Sequence, residues 1–128
     1  MGAVFSKKGL NYLLRKITGH EPQGDLVLHL YINNYIPNEN SALKSFDEVN
    51  GAGYAPKIMW GVMWDEKTTY FENTEIFEFG DVIKKFSVYG YYATGRGQLI
   101  FAERFDDGPY KIQIKGDKVE VKVRMEIR

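Results

Sequence analysis

Three acidic pairs carry the residue types best suited to proton transfer: Asp47-Glu48, Asp65-Glu66 and Asp106-Asp107. Two neighbouring carboxyls can divide the roles of acid and base between them. Each pair nevertheless falls among turn-forming residues, and Asp makes turns by bonding the backbone just ahead of it, so turn chemistry accounts for all three. Asp106 and Asp107 also lack the regular ligand spacing of a calcium loop. His20 and His29 have no evident nucleophile to activate. Ser6, Ser41, Ser45 and Ser87 lack the strand-turn-helix setting of a nucleophile elbow. Gly51-Ala52-Gly53 and Gly95-Arg96-Gly97 precede strand patterns, whereas a phosphate cradle needs a helix N-terminus. The second reads as a hairpin turn in which Gly95 and Gly97 take positive φ and display Arg96 at the tip. No catalytic, cofactor-binding or metal-binding residue is assigned.

Composition points the same way. The 128 residues include 17 basic and 17 acidic side chains, two His and no Cys. Thiolate zinc sites and disulfides are thereby excluded, and two lone histidines offer little to a metal. Zero formal charge removes the broad positive field that drives nucleic-acid binding, so no nucleic-acid partner is expected. The length suits one domain. Met1–Phe5 is too short for the apolar core of a signal peptide, and the apolar-leaning run Leu26–Ile32 is far below the ~20 residues of a membrane span. Synthesis in a cytoplasm and no membrane partner are expected.

The elements that must position these side chains follow from periodicity. Leu10, Leu13, Leu14 and Ile17 share one face of a 3.6-residue period, which predicts a short N-terminal helix over 6–18 with Ser6 as its cap and Gly19 at its end. From residue 25 onward the period is two. Leu26, Leu28, Leu30 and Ile32 alternate with Val27, His29, Tyr31 and Asn33, and Val119, Val121, Val123, Met125 and Ile127 alternate with charged residues. Further strands are predicted over 58–64, 68–79, 85–93, 98–105 and 110–115, the last joined to the final strand by a Gly116-Asp117 turn. The predicted fold is mainly β: one antiparallel β-sandwich domain, jelly-roll or Ig-like, of about seven to eight strands with a short N-terminal α-helix and a β core over 25–128. The stretch 33–55 is too rich in Asn, Ser, Gly and Pro for a strand and is read as a long loop, an element that in compact domains usually carries function or an interface.

Aromatic residues are plentiful: Tyr54, Trp60, Trp64, Tyr70, Phe71, Tyr89, Tyr91 and Tyr92 among them. Core and subunit packing takes most such rings, while an exposed row would stack on sugars.

The order of motifs resembles that of small virion proteins of tailed bacteriophages, of the capsid decoration, head fibre or tail accessory type. The resemblance runs through Leu26-Val27-Leu28-His29-Leu30-Tyr31-Ile32, a Pro37-containing polar loop, and Phe46-Asp47-Glu48-Val49-Asn50-Gly51-Ala52-Gly53-Tyr54-Ala55. It continues in the Trp60 strand, Val88-Tyr89-Gly90-Tyr91-Tyr92, the aliphatic strand Gly97–Glu103, and a closing Gly116-Asp117 hairpin. It implies a non-enzymatic structural protein of the virion, without cofactor, whose partners are other virion proteins and copies of itself. The N-terminal helix and the loop 34–53 are expected to make much of the contact, with Leu10, Leu14, Tyr35, Asn38, Phe46, Tyr54 and Arg96 as candidate interface residues. Two alternatives belong to other classes. A carbohydrate- or receptor-binding module would use Trp60, Trp64 and Tyr91 on a host-surface glycan. A small β-fold hydrolase would need a pocket uniting Asp106, Asp107 or His29.

Overall fold

The computed structural model describes residues 4–6, 26–59 and 70–126. Among them the chain is mainly β, with nine strands in antiparallel sheets: β1 (Val4–Phe5), β2 (Leu26–Tyr31), β3 (Lys57–Met59), β4 (Tyr70–Glu78), β5 (Phe86–Val88), β6 (Gly90–Gly95), β7 (Gln98–Arg104), β8 (Tyr110–Ile112) and β9 (Lys118–Glu126). Five strands form one sheet in the order β1-β7-β6-β2-β3, while β4 pairs with β9 and β5 with β8. Residues 7–18 of the helix expected over 6–18, and the Trp60 and Trp64 positions, lie outside the described residues. Ser6 extends the β1 edge, its amide bonding Ile100 O at 3.1 Å and its hydroxyl Leu99 O at 2.7 Å.

Alternation sets the core. Leu26, Leu28 and Leu30 point one way from β2 and are at most 1 % exposed; Val119, Val121 and Val123 do the same from β9. Together with Phe77, Phe79, Tyr91, Ala93, Phe101 and Ile112 they form one apolar cluster drawing on all three sheets. Burying each such aliphatic side chain contributes roughly 1.5–3 kcal/mol, so the two alternating strands anchor the fold.

Four local expectations are corrected. The stretch 85–93 is two strands in different sheets, because Tyr89 leaves the β5–β8 pairing and bonds Tyr31 O instead (2.9 Å), with Phe105 N returning to Tyr89 O (3.0 Å). The Gly116-Asp117 turn joins strands that pair with other partners, so it closes no β-hairpin. Its geometry explains this: Gly116 N bonds Phe79 O and Phe79 N bonds Asp117 O, which ties the turn to the end of β4. Strand β8 ends at Ile112, leaving Ile114 outside the alternation and 66 % exposed. Fourth, the β6–β7 turn places positive φ on Arg96 (50°) and Gly97 (74°), not on Gly95. Two consecutive positive φ values make the tight turn whose twist matches that of the flanking strands.

The other face of the five-stranded sheet is covered too. Tyr31, Tyr92, Leu99 and Ala102 project there and pack with Phe46 of the long loop into a second, smaller apolar cluster, with Tyr35 and Tyr89 beside it. Strand β6, hydrogen-bonded on both sides and covered on both faces, is buried along its whole length.

Candidate functional site

The segment 33–55 is an ordered, internally bonded platform. Asn33 holds its two limbs together: Nδ2 donates to Ser45 O (2.9 Å) and Oδ1 accepts from Asp47 N (2.8 Å). Asn38 Oδ1 accepts from Asn40 N (2.8 Å), and the Ser41 hydroxyl takes Asn38 N (2.9 Å) while meeting Tyr35 Oη at 2.6 Å. A short 3-10 turn, Leu43–Ser45, then redirects the chain inward, and Phe46 stacks on Tyr92 at 4.7 Å between ring centres. Phe46 is 6 % exposed, so its ring serves the packing of this segment against the sheet. The Asn and Ser residues that mark a loop in the sequence thus act as its internal hydrogen-bonding groups.

The return limb is clasped to the sheet by a polar network centred on Glu48. Ile32 N bonds Asp47 O and Val49 N bonds Leu30 O, continuing the β2 edge beyond the point where β3 stops. Glu48 Oε2 lies 2.6 Å from His29 Nδ1 and accepts the Tyr54 hydroxyl at 2.6 Å. Tyr54 Oη in turn accepts from Leu30 N at 3.0 Å. Burial, and then its hydrogen bond to Glu48, push the Tyr54 hydroxyl well above the ordinary phenol value. His29 Nε2 meets Thr94 Oγ1 at 2.9 Å, and its ring stacks on Tyr92 at 4.6 Å. Glu48 and Thr94 thus engage the two ring nitrogens of His29 from opposite sides. The order hydroxyl, imidazole, carboxylate is that of a nucleophilic relay. Thr94 is 9 % exposed on the central strand, and what the relay joins is β2, β6 and the loop.

Tyr54 reaches this network because of the turn before it. Gly51, Ala52 and Gly53 take φ of 94°, 52° and 70°, and Gly80 N bonds Ala52 O at 2.8 Å. Such a run of left-handed residues requires glycine at most of its positions.

A concave feature lies where β7 and β8 meet the side of β9. This open cleft of ≈ 380 Å³ is lined by Tyr91, Glu103, Phe105, Asp107, Tyr110, Glu120 and Lys122. Tyr91 donates to Glu103 Oε1 (3.0 Å), and Tyr110 donates to Asp107. Burial holds the Glu103 carboxyl above the usual carboxylate range, against the lowering effect of the Tyr91 bond and with a further rise from Asp106. The Tyr110 hydroxyl is pushed up to about 12 by burial and by Asp107. Lys122 Nζ lies 3.7 Å from Glu120 Oε1. Among the described residues no group of three His, Asp or Glu side chains gathers to hold a metal. No helix among them is long and apolar enough to cross a membrane.

Comparison of the chain with known protein families, curated proteins and solved structures finds no match.

The sequence candidates are distributed as follows. Tyr35, Asn38, Phe46 and Tyr54 all belong to the platform, with Asn38 exposed and Tyr35 half-buried. Arg96 sits at the β6–β7 tip. Gly51 and Gly53 shape the approach to Tyr54, exposed Ala55 follows it, and Gly116 with Asp117 forms the turn against β4. Gly90 and Tyr91 open β6, Tyr91 being 1 % exposed. Leu10, Leu14 and Trp60 lie outside the described residues. Asp107 enters the cleft, whereas His29 belongs to the clasp. Sequence reading did not bring together Glu48, His29 and Thr94, nor Glu103 with Asp107. The partners lie on different strands or on a strand and the loop, Tyr91 facing Glu103 across β6 and β7, so each residue alone reads as an ordinary polar position.

Proposed function

We propose that this chain is a non-enzymatic structural component of a tailed bacteriophage particle, built as an antiparallel β-sandwich with an N-terminal helix and making multicopy contacts with other virion proteins and with copies of itself. The observation that carries this reading is the preorganised platform 33–55. It is clasped to the sheet by hydrogen bonds yet presents Ile36 (61 % exposed) and Leu43 (42 %) beside exposed Asn38. Large aliphatic side chains on a pre-ordered surface favour association, because little conformational entropy remains to be lost on binding. On a symmetric particle, weak contacts of this kind are multiplied by copy number. The motif order that resembles the virion proteins supports the same reading, with Leu10 and Leu14 of the predicted helix as a second contact.

The test is co-sedimentation of the purified chain with particles assembled without it, comparing wild type with the double variant Ile36→Asp, Leu43→Asp. Wild type is expected to saturate the particles, and the variant to lose at least about tenfold in occupancy at unchanged thermal stability. Wild type that stays in the supernatant, or a variant that binds equally well, overturns the proposal.

A further inference from the structure

The β7–β8–β9 cleft has a chemistry that the platform does not share. Among the described residues its lining holds three carboxylates and one cation, and that cation, Lys122, already faces Glu120. Two rings, Phe105 and Tyr110, meet at 4.9 Å between centres with a 47° tilt and form a half-buried wall. Behind them Tyr91 packs on Phe105 and fixes Glu103 through its hydroxyl. A volume of ≈ 380 Å³ falls at the lower end of the range for small-molecule sites, about 300–1,000 Å³, which suits one inserted side chain better than an extended oligomer. A sugar would need an open ring face to lie on, and Tyr91, the ring beside the carboxylate, is 1 % exposed. A planar cation is better served: it stacks on an aromatic wall and pairs with carboxylates in the same geometry.

We infer that this cleft receives the guanidinium group of an arginine side chain from a partner protein, held between the Phe105–Tyr110 wall and the carboxylates of Glu103, Asp107 and Glu120. The half-buried Glu103 is the group that gains most, because a desolvated carboxylate is stabilised by an opposite charge more than an exposed one is. Arginine is favoured over lysine because its fork reaches two carboxylate oxygens while its face covers a ring. This inference deepens the contact-making role proposed above by naming the chemistry of one contact. It uses a surface separate from Ile36 and Leu43, so the two readings fail independently.

The test is a titration of the ¹⁵N-labelled full chain with N-acetyl-arginine amide, followed by amide chemical shifts, with N-acetyl-citrulline amide as the neutral isostere. Saturable shifts are expected at Tyr91, Glu103, Phe105 and Tyr110 with the arginine probe alone. The double variant Asp107→Asn, Glu120→Gln alters only exposed side chains and keeps the core intact; it is expected to weaken binding by about tenfold or more. Glu103→Gln is expected to weaken it as well. Equal shifts with citrulline, shifts scattered away from the cleft, no saturable shift, or undiminished binding by the double variant would each overturn the inference.

Discussion

Glu48 and His29 are joined side chain to side chain across 19 residues of sequence, with Oε2 2.6 Å from Nδ1, and this contact fastens the long loop to the central sheet. The same carboxylate oxygen accepts the Tyr54 hydroxyl, so one atom gathers loop, strand and turn. Removing it in Glu48→Ala leaves the His29 and Tyr54 donors without their acceptor in a half-buried site. A loss of about 1–3 kcal/mol is expected in urea unfolding, with faster amide exchange over 33–49 than in wild type. Glu48→Gln keeps one acceptor oxygen and should lose less.

Gly90 is the residue at which the chain passes from one sheet to the next. A Cβ there would sit 2.5 Å from the Tyr31 hydroxyl oxygen and also clash with the Glu103 carbonyl. The backbone cannot yield without breaking the β6–β7 pairing, in which Gly90 faces Arg104. Gly90→Ala should therefore destabilise by at least about 1–3 kcal/mol, as overpacked cores do. A thermal unfolding midpoint equal to wild type would contradict this close approach.

Glu103 makes stability depend on pH in the unusual direction for a carboxylate. Its raised value means that the folded state holds the proton more tightly than the unfolded chain does. Its contribution is complete below the ordinary carboxylate value of 4.5 and is lost as pH rises through the higher folded value. In Glu103→Gln this decline should vanish, so the variant gains relative to wild type as pH increases. Chemical unfolding at a series of pH values measures the difference directly, and parallel profiles would refute it.

Asp117 behaves oppositely. Its Oδ2 accepts from Gln113 N at 2.8 Å and Ile114 N at 3.0 Å, and these two bonds hold its carboxyl below the usual range. Its contribution is present above the unfolded value and disappears as pH falls through the folded one. Asp117→Asn should lower stability at neutral pH and flatten the acid limb of the profile. Unchanged acid unfolding in the variant would show that the turn draws nothing from the charge.

Legibility in the sequence followed the reach of each interaction. The strands β2 and β9 were visible because alternation of Leu26, Leu28 and Leu30, or of Val119, Val121 and Val123, records which side of a strand meets apolar surroundings. Strand β6 gave no such pattern, since Tyr92 and Thr94 are buried on one face and Tyr91 and Ala93 on the other. The break at Tyr89 was equally hidden: Phe86–Val88 and Gly90–Gly95 read as one run, and the backbone bonds of Tyr89 to Tyr31 and Phe105, with the close approach of Gly90 to Tyr31, separate them. The clasp was illegible because His29 and Thr94 stand 65 residues apart, and either alone reads as an ordinary polar strand position.

The sequence by itself determined a cysteine-free, charge-balanced, mainly β chain with a long polar loop, because composition and the two-residue period are local properties that every strand must obey. Tertiary structure decided which strands pair, that the loop folds back as a second cover on the sheet, and which carboxylates meet which rings. Those outcomes depend on closing long stretches of chain, and many pairings share one alternation; side-chain packing and hydrogen-bond satisfaction across the closed structure select among them.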